Sequence, residues 1–372
     1  MEMKLPPYVK LTSVLLGIVL TVFVMIQAKS VLVPLLISGL LAVLISPLTG
    51  WFERHKIPKA LSAILSLVIL LVVLGGLVYL MYNQLIGFAS DLGAIEGRVN
   101  ELIGQINGFI ERHVDGVVPF SFDSLKDTFF QYLSSNISSI TQGAISTASS
   151  LAILFILPVY IFLFLYFRHF LIEFLMMAFA DKYREKVKNA TDKIKKVVQN
   201  YIVGMFLVIL ILAVLNTIAL VSLGIRHALM FAIFAAMLNV IPYLGPLIGS
   251  TLPIVFALLT KDSLWYPIGV FLAFYFIQLA ESNFFTPKIV GGKVSMNPFM
   301  TIVALFVGNY IWGLTGMILF IPGMAVLKVI FDEIPGMQPY GFLLGDTKAS
   351  DERRAKRSMK EKISLVKGRF KV

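Results

Sequence analysis

The residues of this 372-residue chain with the most chemical promise lie at breaks in two uncharged runs. Between Arg226 and Lys261, and again between Lys293 and Lys328, 34 residues pass without a Lys, Arg, Asp or Glu. The first run holds Asn239-Val-Ile-Pro-Tyr-Leu-Gly-Pro246 at its centre, and the second Gly308-Asn-Tyr-Ile-Trp-Gly-Leu-Thr-Gly316. Proline and glycine stop a helix there, while Asn and Tyr side chains can donate and accept hydrogen bonds. In an apolar medium an unpaired peptide group costs several kcal/mol, roughly, so such a break persists only where protein or a polar cavity satisfies it. The chemistry this predicts is reversible binding of a small polar solute. Asn239, Pro242, Tyr243, Gly245 and Pro246 form one tip, and Gly308, Asn309, Tyr310 and Gly313 the other, with the glycines letting backbone approach the cargo.

Glu281 is the third feature, because it ends the uncharged stretch Ser263 to Ala280 and is followed by Ser-Asn-Phe-Phe-Thr-Pro-Lys-Ile-Val-Gly-Gly. An ionisable group at the end of a lipid-length apolar run is a functional candidate by default. With Asn283, Pro287, Lys288, Gly291 and Pro298 it makes a coupling or gating group, Lys288 being its nearest ionic partner in sequence. The plainer alternative is an interfacial carboxylate that reaches out to water.

Enzymatic chemistry finds little support. There is no cysteine, and His55, His113, His169 and His227 stand singly, without a second ligand at metal-binding spacing. Neither a Ser/His/Asp grouping nor a phosphate-cradling glycine loop is present. The expectation is no catalytic residue, no metal, no cofactor and no nucleotide drive.

The elements that must position these groups are set by composition. Hydrophobic residues make up 58% of the chain and charged ones 14%, with mean hydropathy +0.86, against about a quarter charged in soluble domains. Lipid must be the solvent for most of the chain, so the predicted fold class is an all-α, polytopic transmembrane protein. A run of 34 residues would extend roughly 51 Å as one helix, too long for a bilayer core of roughly 30 Å, yet two crossings need about 40 residues. Two re-entrant helical hairpins resolve this, their tips near the midplane, with Ser263 to Ala280 crossing between them as in an inverted-repeat transporter. Two pairs of short, tilted crossings are the alternative.

Upstream, apolar runs over Leu11 to Ala28 and Val31 to Leu48 predict a tight helical hairpin across the membrane. The first resembles a signal peptide, but the apolar pattern resumes after Lys29 with no small-x-small cleavage site, so it is expected to remain. Further spans are predicted over Ala60 to Tyr82, Thr147 to Phe167 and Ile202 to Leu223. Residues 83–145 carry seven acids and three bases, whereas 168–200 carry eight Lys and Arg. By the positive-inside rule both termini, the 51–60 loop and the 168–200 segment are cytoplasmic and 83–145 is outside. Leu85, Phe88, Leu92, Ile95, Val99, Leu102, Ile106 and Phe109 recur at steps of three and four. They form the seam of one arm of an extracytoplasmic helical hairpin, whose second arm carries Leu125 to Ile140. The seam packs within the chain or against a neighbouring subunit, the latter making a homo-oligomer.

Tyr183 to Tyr201 reads as an amphipathic helix at the inner membrane surface. The net charge of +11 falls largely on the tail, where Asp346 to Val372 holds ten bases against four acids. Such a tail faces anionic lipid more simply than nucleic acid. The organisation is therefore 1–82 N-terminal helices, 83–145 outer hairpin, 146–200 span plus amphipathic helix, 201–340 transport core and 341–372 basic tail. The expected partners are the bilayer and a small-molecule or ion substrate, with no nucleic acid.

Pro242-Tyr-Leu-Gly-Pro246, then Glu281, Pro287, Gly291 and Pro298, then Gly313, Gly316 and Pro322, resemble the signature of the autoinducer-2 exporter family of predicted permeases. The resemblance covers residues 8–340 and omits the basic tail after Thr347. It implies a multi-pass transporter of the bacterial inner membrane. Some members of that family are associated with export of autoinducer-2 and quorum sensing, others with sodium or lithium for proton antiport. Three readings follow: an exporter of a small polar solute, a cation/proton antiporter relying on Glu281, and a non-transporting scaffold that uses its outer hairpin.

Overall fold

A computed structural model describes residues 6–113, 148–290 and 296–345. The second arm of the outer hairpin, Gly291 and the basic tail from Asp346 lie outside the described residues. Among the described residues all elements are helical apart from one isolated antiparallel bridge between Met296 and Gly345.

Helix α1 (Pro7–Gln27) starts with its proline in the first turn, where no amide is needed, and α2 (Lys29–Arg54) follows after the single residue Ala28. Ala28 keeps a near-helical conformation, φ −85° and ψ 13°, and its carbonyl accepts from the Leu32 amide at 2.9 Å, so the chain passes from α1 into α2 without the loop of a hairpin. Helix α3 (Lys59–His113) is continuous over 55 residues: its apolar, membrane-length part is Lys59–Phe88, and the helix carries on through the seam without a break. The apolar seam carries the helical repeat onward, and Gly87, Gly93 and Gly97 cost propensity without forcing a stop. Helix α4 (Ala148–Tyr166) bends by 64° at Phe167 into α5 (Arg168–Met177).

Helix α6 (Arg184–Ser222) corrects one expectation: its 39 residues run without a break, so the basic segment is not a separate helix but the N-terminal part of an apolar, membrane-length one. No proline stands near the composition change, and its weakest helix former, Gly204, costs only about 1 kcal/mol.

Each uncharged run is a pair of helices, α7 (Ala228–Leu238) with α8 (Leu244–Thr260), and α11 (Pro298–Trp312) with α12 (Leu314–Glu333). Between them lie α9 (Trp265–Ala280), a π-helical turn (Glu281–Phe285) and α10 (Thr286–Ile289); α13 (Gln338–Leu344) ends the described chain. Asn297 caps α11, its Oδ1 accepting from the Phe299 amide at 3.0 Å, with Pro298 in the first turn. That cap accounts for Pro298 structurally.

Among the described residues five helices are long and apolar enough to cross a membrane, or six if α4 and α5 form one broken span. Large apolar side chains such as Val72, Phe155 and Phe306 are exposed, as lipid-facing surfaces require. The chain is an all-α polytopic membrane protein.

Two compact units make up the fold. The first combines residues 1–67, 155–204 and 290–372, the second 68–154 and 205–289. In the first, Ile311, Trp312 and Leu319 pack with Met25, Val33 and Ile37, and the Trp312 indole N–H donates to the Met25 carbonyl at 2.8 Å. Ser66 and Thr49, both buried, are joined by a 2.9 Å hydrogen bond between α3 and α2. In the second, Phe231, Phe256, Val270 and Phe274 form the core, and Leu85, Phe88 and Val99 of the seam pack on it. That part of the seam is satisfied within the chain. Asp91 reinforces it, accepting from His227 Nε2 at 2.9 Å and pairing with Arg226 at 3.3 Å.

Candidate functional site

The break between α7 and α8 closes on itself. The amides of Val240, Ile241 and Gly245 donate to Met237, Leu238 and Ile241 carbonyls, and Leu244 donates to Pro242 O at 2.8 Å. This last bond, two residues apart, closes a γ-turn centred on Tyr243 at φ 66°, ψ −51°. That form is rare and strained, and a non-glycine residue holds it only where the surroundings impose it. Pro242 on one side and the start of α8 on the other fix the chain here. Tyr243 itself is exposed.

Gly245 has no room for a side chain, because a Cβ would stand 1.9 Å from the Leu238 carbonyl oxygen. One turn on, a Cβ at Gly249 would lie 2.9 Å from the Ala235 Cα. The absent side chains let the two helices touch backbone to backbone, so Gly245 serves hairpin closure. Gly308 does the same in the other hairpin against Gly316. There Gly313 turns the chain at φ 65°, ψ −145°, a region open essentially to glycine alone.

A cavity of about 240 Å³ lies inside the second unit, walled by α6, α7, α8 and α9. It is just under the roughly 300–1,000 Å³ typical of ligand sites, a size for a small solute. The lining is mostly apolar, with Asn216, Asn239, Ser250, Tyr275 and Gln278 supplying polar groups and no charged side chain among them. Asn239 and Pro246, two residues predicted as substrate-binding, are on this wall. Asn309 and Tyr310 are exposed and belong to the other unit with Gly308 and Gly313.

Asn216 sets the electrostatic character of the cavity. It is buried on α6, and its amide oxygen Oδ1 has no hydrogen-bond partner among the described residues. An unsatisfied buried acceptor costs about 1–3 kcal/mol. Asn239 is buried as well and lines the same cavity. Ser250 donates to the Pro246 carbonyl at 2.8 Å and keeps its oxygen as an acceptor.

Gln278 links the cavity to Glu281. Its Nε2 donates to Glu281 Oε2 at 2.7 Å, while the Thr286 hydroxyl donates to Oε1. Glu281 is buried, and no ion pair reaches it among the described residues. Lys288 is exposed, so the sequence neighbour is not the partner. The π-helical turn explains the choice: one wider turn brings Thr286, five residues on, over the carboxylate, where regular α geometry favours positions three and four away. Asn283 is exposed and donates to the Leu279 carbonyl at 2.8 Å, and Pro287 is exposed beside it.

Sequence reasoning missed Asn216, Gln278 and Thr286. The signal for Asn216 was a carboxamide within the apolar run Ile202 to Leu223, and for Gln278 a second one in Ser263 to Ala280. The wide turn that recruits Thr286 carries no comparable mark.

Broken helices, a mostly apolar cavity with a few amide and hydroxyl groups, and a buried, hydrogen-bonded carboxylate in a lipid-embedded chain are the features of a polytopic membrane transporter. The profile of the AI-2E family transporters matches residues 13–336, and the chain belongs to that family. YrrI of Bacillus subtilis is 26% identical over 309 residues, covering 81% of this chain and 86% of its own length. MT0215 of Mycobacterium tuberculosis is 26% identical over 332 residues, covering 88% and 89%; both carry provisional transport-protein names. The AI-2 transport protein TqsA of Escherichia coli is 23% identical over 345 residues, covering 90% and 95%.

Proposed function

We propose that this protein exports a small, polar, uncharged solute across the bacterial inner membrane, with the cavity beside Asn216 as its binding site. The observation that carries the reading is the unpartnered Asn216 amide oxygen on a cavity wall without a charged lining residue. A solute with hydroxyl or amide donors satisfies that oxygen once the amide turns to it, whereas an ion finds no opposite charge there. An autoinducer-2-like signalling molecule has the required chemistry, and the name of the relative TqsA gives it precedence among candidates. The two hairpins act as re-entrant elements, and Asn239 at the first break contributes a contact to a solute in this cavity. Both termini are cytoplasmic in this reading, and residues 83–145 lie outside.

A sodium or lithium/proton antiporter is the second reading, favoured by Glu281 held between Gln278 and Thr286 one residue away from the cavity wall. In it Glu281 binds the coupling proton or cation.

Reconstituted flux separates these readings. Vesicles carrying the protein and loaded with a radiolabelled furanone diol should release it faster than protein-free vesicles, and Asn216→Leu should remove the difference. Wild-type-like release by Asn216→Leu overturns the assigned site. Sodium-driven proton movement without solute release would instead select the antiporter.

A further inference from the structure

In the first unit a groove of about 370 Å³ runs along α12, walled at one end by Met25 and Trp312 and at the other by Val198 and Leu327. Its lining is entirely apolar in residue type. Gly323 forms part of its floor, where a Cβ would meet nothing within 4 Å, so the groove is open where that side chain is missing.

The charge at the Val198 end is one-sided. Residues 184–200 hold Arg184, Lys186, Lys188, Lys193, Lys195 and Lys196 against Glu185 and Asp192. Lys193 is paired with Glu333, and Lys328 with Asp332 at 2.7 Å, which takes up the nearby carboxylates of α12. Lys195 and Lys196 are exposed and have no ion pair among the described residues. Lys195 precedes Val198 by three residues, a neighbouring position on one helix face. An apolar groove with the unpaired Lys195 one helical turn from its lining residue Val198, and Lys196 next in the chain, matches a molecule with a long hydrocarbon tail and an anionic head.

We propose that this groove holds one acyl chain of an anionic glycerophospholipid, with its phosphate headgroup at Lys195 and Lys196. The source is the surrounding bilayer, and the basic segment is of the kind that attracts anionic lipid at a cytoplasmic surface. The site is in the other unit from the solute cavity and does not depend on the cargo assigned above.

The chain has three tryptophans, so Trp51→Phe with Trp265→Phe leaves Trp312 as the reporter on the groove wall. Both replaced side chains are exposed. In vesicles containing increasing fractions of tail-brominated phosphatidylglycerol or tail-brominated phosphatidylcholine, Trp312 fluorescence should be quenched at a lower fraction of the former. Lys195→Gln and Lys196→Gln should each weaken that preference roughly fivefold, while leaving phosphatidylcholine quenching unchanged. Gly323→Leu, which fills the open floor, should abolish selective quenching with its melting temperature retained. Equal quenching by both lipids in the reporter protein overturns the proposal, as does unchanged selectivity in Gly323→Leu. So does disulfide formation between copies of Gly323→Cys, unique in a chain without cysteine, because a second copy would then occupy the groove. If Gly323→Leu does not fold, the lysine variants still decide the headgroup assignment.

Discussion

Gly308 and Gly316 meet backbone to backbone across the second hairpin, and neither tolerates a β-carbon: one at Gly316 would stand 1.9 Å from the Gly308 carbonyl oxygen, one at Gly308 2.6 Å from that of Gly316. The opposing atoms are main chain, so no side-chain rotation relieves the clash. Gly316→Ala should therefore lower stability by about 1–3 kcal/mol, the range for overpacked interiors, seen as a reduced melting temperature in detergent. Gly245→Ala should behave likewise, through the Leu238 carbonyl. Gly323→Ala is the internal control and should raise the melting temperature slightly, since it removes a glycine from a helix interior where the new methyl meets nothing.

Asn216→Leu should separate stability from function. Removing an unsatisfied buried acceptor without changing side-chain size greatly stabilises by about 1–3 kcal/mol, while solute release falls to the level of empty vesicles. A drop in melting temperature would show instead that the amide is structurally paired.

Tyr243→Gly should relieve the positive-φ turn. A gain of about 1 kcal/mol is expected, because the strain removed slightly exceeds the backbone entropy that glycine adds. If the strained tip takes part in cargo passage, flux should fall while the melting temperature rises. Thermal unfolding and vesicle flux on one preparation give both values.

Glu281→Gln tests the coupling role. The amide can still accept through its oxygen, yet it cannot release a proton, so the hydrogen bonds of Gln278 and Thr286 are partly preserved while titration is lost. Ion-coupled proton movement, read with a pH-sensitive dye inside vesicles, should disappear. Antiport at the wild-type level in this variant removes Glu281 from the mechanism.

The sequence made the hairpins legible because charge is excluded from lipid and proline or glycine must mark any interruption; both signals sit in the same 34-residue runs. It was less informative about helix length. The change from basic to apolar composition near Tyr201 reads as a boundary, but α6 passes through it because helix continuity depends on backbone pairing and not on which solvent surrounds the side chains. For the site, Asn239 and Pro246 could be found from the breaker motif they belong to. Asn216 was marked only as a lone amide in an apolar span, which is silent about whether another helix satisfies it. Glu281 stood out by charge, yet its partners follow from a wide turn that no residue pattern announced.

The turn at Glu281–Phe285 makes the span Trp265–Ile289 a joint and not a rod. A π turn accommodates one more residue than an α turn, so rewinding it would rotate everything beyond Phe285 by about 100° about the helix axis. The Thr286 hydroxyl would swing away from the carboxylate, leaving Gln278 alone to hold it. Winding and unwinding of a single turn thus changes how many donors Glu281 keeps, without any helix having to slide.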